Sequence, residues 1–196
     1  MKTQLLFIDS AIENSQYFTQ DLHPEVDAFI LSTSTDFIKK ITEIIAQYSQ
    51  IKALHLVSHG EDSQLQLGQT YLNSNTLKTY SSLLRKWYQF LVPNAELLLY
   101  GCNIAQTSKG QAFVQQLSQL TGTQIAASRH PVGNPQLGGS WDLDYHTQPI
   151  KTPIPFSQKT QNTYPNILAT FEVSQSTDDG TGATENTLSW AIQQAN

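Results

Sequence analysis

The chain has 196 residues, is 39% hydrophobic and 14% charged, and carries a formal net charge of -5. That length and composition fit one domain with some chain to spare, and the apolar content excludes a disordered polyampholyte. The acidic balance argues against a general nucleic-acid binder, which needs a basic face. No apolar stretch approaches the roughly 20 residues that span a bilayer.

Residues 5–8 form a first apolar run, ended by Asp9-Ser10 and too short for a secretory signal. Residues 26–31 form a second. Phe37, Ile38, Ile41, Ile44, Ile45 and Tyr48 then recur at three- and four-residue spacing, which predicts a helix with one apolar stripe. A third strand over 53–57 runs into Ser58-His59-Gly60. Residues 65–72 alternate around Gly68 and predict a small hairpin laid over the site.

Leu77, Tyr80, Leu84, Trp87, Tyr88 and Leu91 give a second helix stripe, closed by Pro93. The fourth strand, 96–100, runs into Gly101-Cys102-Asn103. Ser108 and Gln111 fit a capping box for a third helix, with Gly122 at its end and a fifth strand over 124–127. A glycine turn at Gly138-Gly139 leads into an alternating strand that reaches Tyr145. Apolar strands alternating with amphipathic helices predict an α/β fold, a largely parallel sheet covered on both faces, with functional groups at the carboxyl ends of its strands.

Asp9, His59 and Cys102 all fall at such strand ends. Cys102 is the only cysteine, so it has no internal disulfide partner and does not fix the redox compartment. A thiol and an imidazole at the ends of two strands are the parts of a nucleophile and its general base, and they can meet if the third and fourth strands are neighbours. The amides of Gly60 and Cys102 are the candidate oxyanion hole. The alternative is a buried, inert Cys102 and a His59 that merely ends a strand. His55 and His59 are four apart, which on a strand is about 13 Å and too far for one ion, so no metal site is expected. Asp9 is a candidate substrate-binding carboxylate selecting a basic P1 side chain, or else a turn or N-cap aspartate. Glu61 and Asp62 are candidates to orient His59, or a solvated acidic step. Trp87 and Trp141 read as core anchors.

With these residues in view, the chain resembles the caspase-like (clan CD) cysteine peptidases, whose signature pairs a hydrophobic-His-Gly strand end with a hydrophobic-Cys strand end. His59 matches the base, Cys102 the nucleophile and Gly60 the oxyanion glycine. Residues 3–145 are similar to domain of unknown function 4347, found at the N-termini of very large bacterial surface adhesins. The matching stretches are Phe7-Ile8-Asp9, Leu54-His55-Leu56-Val57-Ser58-His59-Gly60, Leu99-Tyr100-Gly101-Cys102-Asn103-Ile104-Ala105, Ala126-Ala127-Ser128 and Gly138-Gly139-Ser140-Trp141. Arg129-His130 departs from that pattern, where an acidic or small polar residue is expected.

The resemblance implies a caspase-like three-layer sandwich over 1–146, with a mostly parallel central sheet flanked by helices. It implies a cysteine endopeptidase without cofactor or metal, acting on a polypeptide, at the N-terminus of a surface or exported protein. The alternative is a catalytically silent cap or sorting module that keeps the fold and only binds. Residues 147–169, with Pro149, Pro153, Pro155 and Pro165, are expected to be a linker and a target for self-cleavage, with Lys151 or Lys159 at P1. Phe171-x-Val173, Asp178-x-Gly180 and the 187–196 stretch are similar to the first coil of a secreted β-helix, making 170–196 its truncated start.

Overall fold

The computed structural model describes residues 2–169, 175–184 and 187–195. Strands β1 (Gln4–Asp9), β2 (Val26–Leu31) and β3 (Ile51–Val57) are followed by three short ones, β4 (Gly60–Glu61), β5 (Gln64–Leu67) and β6 (Thr70–Asn73). Strands β7 (Leu91–Tyr100), β8 (Gln124–Ala127) and β9 (Tyr145–His146) come later in the chain. The helices are α1 (Phe37–Ile45), α2 (Leu77–Lys86), α3 (Ser108–Thr121), α4 (Gln158–Thr163) and α5 (Leu188–Ala195). The main sheet has the order β2-β1-β3-β7-β8-β9, and β4-β5-β6 form a separate small sheet. Every pairing in the main sheet is parallel except that of β9, which runs antiparallel to β8. The molecule is thus an α/β sandwich around a mostly parallel sheet.

The period-two alternation of the strands builds two cores. Leu5, Phe7, Leu54, Leu56, Leu97, Leu99 and Ile125 point to one face, where the apolar stripes of α1, α2 and α3 bury them. Leu6, Ile8, Ala53, Val57, Leu98, Tyr100 and Ala126 point to the other. That second face is covered by aromatic side chains, not by long helices. Phe18, Trp141, Phe156 and Tyr164 pack edge-on or tilted, with centroids 4.7–5.8 Å apart.

Phe156 and Tyr164 belong to the segment expected to be a linker, and the structure corrects that expectation. Phe156, Tyr164 and Leu168 are 3%, 1% and 0% exposed. The buried Glu96 carboxylate accepts from the main-chain N–H groups of Lys151 and Thr152 at 2.8 and 2.7 Å. Residues 147–169 are therefore the second face's cover and part of the domain. Their prolines shape an irregular path whose main chain is tied down by side chains.

Smaller differences have local causes. Pro93 does not close a helix. It lies inside β7, where the register with β3 is broken and Asn94 takes a left-handed φ of 60°. Thr107, not Ser108, caps α3, accepting from the Lys109 N–H, while Gly122 ends the helix at φ 69° as expected. The strand expected up to Tyr145 shrinks to two residues. In the tail, Phe171 and Val173 lie outside the described residues. Leu188–Ala195 is helical where the first coil of a β-helix was expected.

Candidate functional site

Val57, the last residue of β3, is in register with Tyr100, the last residue of β7. His59 and Cys102 each follow two residues later, so they leave adjacent strands at the same level. The Ser58 N–H donates to the Tyr100 carbonyl at 3.1 Å and carries the ladder one step beyond the strands. Close packing of the two turns then depends on glycine. A Cβ on Gly60 would lie 3.0 Å from the Cys102 carbonyl oxygen and 2.9 Å from Ile104 Cγ1. A Cβ on Gly101 would lie 3.3 Å from the Gly60 Cα. Asn103 completes the second turn at φ 58°, a conformation that asparagine tolerates better than most residues.

Cys102 is buried, 1% exposed. Its sulfur accepts the Val132 N–H at 3.1 Å, and its thiol faces the Val132 carbonyl at 3.7 Å. Burial pushes the thiol up to about 11, and main-chain hydrogen bonds of Val132 and Leu168 only partly offset this. The resting sulfur is therefore a protonated thiol, not a thiolate.

His59 is half-buried, and its Nδ1 donates to the Leu168 carbonyl at 3.2 Å. Leu168 thus sets its main chain directly against His59 and, through Val132, beside Cys102. It is held there by a short antiparallel stretch. The Leu168 N–H donates to the Val132 carbonyl at 2.7 Å, the Asn134 N–H donates to Asn166 at 3.0 Å, and Gly133 bridges Ile167. Gly133 has φ 137°, and a Cβ there would sit 2.6 Å from the Ile167 Cα. Only glycine lets the 166–168 segment lie this close.

The other candidate residues have different partners. Asp9 is 1% exposed, and its two carboxylate oxygens accept from Ala11 at 2.9 Å and Gly68 at 2.7 Å, so it ties the end of β1 to the β5–β6 hairpin. Asp62 accepts from the Thr107 N–H and hydroxyl, and Glu61 accepts from Gln64. Arg129 and His130 both pair with Asp144, at 2.9 and 3.2 Å. His55 is fully buried against Gln4 at 3.1 Å, and burial lowers it to about 3. Trp87 and Trp141 are buried, each donating its ring N–H, to Thr42 and to the Gln161 carbonyl. Lys151 is fixed beside Glu96, four residues before the end of β7 and so about 13 Å down the strand from the site. Lys159 lies exposed on α4.

Leu168 was not among the residues singled out from the sequence. A lone leucine after a proline-rich stretch gives no local signal, because its position is set by pairing with residues 132–134. The family model described as domain of unknown function (DUF4347) matches residues 5–168, a span that ends on this leucine. No curated protein and no solved structure matches the chain.

Proposed function

Because the chain belongs to the DUF4347 family, a domain of unknown function, its activity must be argued from the site, and we propose a caspase-like cysteine endopeptidase with Cys102 as nucleophile and His59 as general base. The observation that carries this reading is that one peptide segment of the chain is brought to both side chains: the Leu168 carbonyl accepts from His59 Nδ1, and the Leu168 N–H pairs with the carbonyl of Val132, the residue whose main chain also holds the thiol. A main chain held by antiparallel pairing beside a thiol and an imidazole is the arrangement that peptide-bond cleavage requires. The Gly60 and Cys102 amides are the donors for the oxyanion. The resemblance to adhesin N-terminal domains supports a place on a surface or exported protein.

The burial of Cys102 favours a second reading, a catalytically silent caspase-like module that binds an extended segment and keeps it. The two readings separate on turnover. The chain and its Cys102→Ala and His59→Ala variants are incubated with a mixed peptide library, and the products are identified by mass spectrometry. The peptidase reading expects cleavage that falls at least ~100-fold in both variants. If folded wild-type chain yields no Cys102-dependent product, from the library or from itself, the binding module is the correct reading.

A further inference from the structure

The segment at the site belongs to the chain itself, and it has the form of a bound substrate. Asn166, Ile167 and Leu168 run antiparallel to 132–134, and the Leu168 side chain is wholly buried in the core that also holds Cys102 and Val132. Ala169 follows, half-buried against the same core. Resting on the peptidase reading, we propose that the Leu168–Ala169 peptide bond is cleaved in cis, with residues 166–168 marking the non-primed substrate path and an apolar side chain, leucine here, at P1. This replaces Lys151 and Lys159 as the P1 residues. The first is held near the middle of β7 by Glu96, and the second sits in a helix, whereas a peptidase groove takes extended chain.

The step balances within the site and one water molecule. The Cys102 sulfur attacks the Leu168 carbonyl carbon, a C–S bond forms, and the C–N bond to Ala169 breaks. The thiol proton passes by way of the imidazole to the Ala169 nitrogen, which leaves as an amine. Water then attacks the thioester, giving the Leu168 carboxylate and restoring the thiol. Before attack, the carbonyl must turn from His59 Nδ1 toward the Gly60 and Cys102 amides. That turn separates the resting arrangement from a reacting one.

Intact-mass time courses of the purified chain test this, beside Cys102→Ala, Ala169→Pro and the Lys151→Ala, Lys159→Ala double variant. A proline at 169 blocks scission without removing the buried leucine. The expected result is fragments 1–168 and 169–196 from the wild type and from the lysine double variant at equal rates. Cys102→Ala and Ala169→Pro should lose at least 99% of that rate. Cys102-dependent cleavage of the peptide library with the chain itself intact, or cut elsewhere, overturns the cis site and leaves the peptidase reading standing. Absence of any Cys102-dependent cleavage removes both.

Discussion

A Cβ on Gly60 would meet the carbonyl oxygen of Cys102 at 3.0 Å. Both neighbours on that side, the Cys102 peptide and Ile104, are part of the wall that sets the site, and neither is the free end of a flexible side chain. Gly60→Ala should therefore spread the two strand ends, costing about 1–3 kcal/mol of stability by overpacking. Self-cleavage should fall at least ~10-fold, since the oxyanion donors move with the turn. Thermal melts and fragment yield measure the two effects. A variant as stable and as active as wild type would show that the turns have slack here.

Cys102 should alkylate slowly in the folded chain. With its thiol pushed up to about 11, its reaction with iodoacetamide at pH 7 should be at least ~100-fold slower than that of a free thiol of pKa about 8.5, rising about tenfold per pH unit through pH 10. The linkage has the opposite direction to a paired carboxylate. The unfolded thiol ionises first, so stability is complete below about pH 8.5 and declines as pH climbs toward 11. Denaturant midpoints at pH 7 and pH 10, with Cys102→Ala as reference, report it.

His55 should make the fold acid-sensitive. Burial keeps it neutral down to about 3, while in the unfolded chain it takes a proton near 6.5. Its contribution is complete above pH 6.5 and is lost as pH falls from there toward 3. His55→Gln retains a partner for Gln4 and removes the titrating group, so its stability should fall less between pH 7 and 4.5. Urea midpoints at the two values decide this. Equal acid losses in both proteins would place the sensitivity elsewhere.

Glu96→Gln should loosen the cover of the second face. The carboxylate accepts two main-chain N–H groups from a segment without regular structure, and glutamine offers one oxygen and no charge. The expected loss is about 1.5–3 kcal/mol. Limited proteolysis should show new cuts near residues 147–155 before any in β1 or β3. A digestion pattern identical to wild type would count against this anchor.

The alternation of strands and helices was legible because it is written in short-range spacing: Leu5, Phe7 and Leu6, Ile8 sort themselves between two faces by period alone. The placement of His59 and Cys102 at strand ends was legible in the same pattern, while the neighbour relation of β3 and β7 that sets them at one level is a matter of strand order, which alternation leaves open. Phe156, Tyr164 and Leu168 were not legible as core. They are large and apolar but follow no period, and the prolines around them have the composition of a linker. Their burial comes from partners far along the chain, Phe18, Trp141 and residues 132–134. The same holds for Arg129 and His130, whose departure from the family pattern is matched by Asp144.

The cover over the thiol has a temporal meaning. Translation at roughly 5–20 residues per second delivers His59, Cys102 and the whole of β8 several seconds before Leu168 clears the ribosome. Any sheet that forms before Leu168 arrives does so with its sulfur uncovered. A ribosome stalled in the proline-rich stretch would hold the protein at that stage, where the thiol is open to any oxidant or stray peptide nearby.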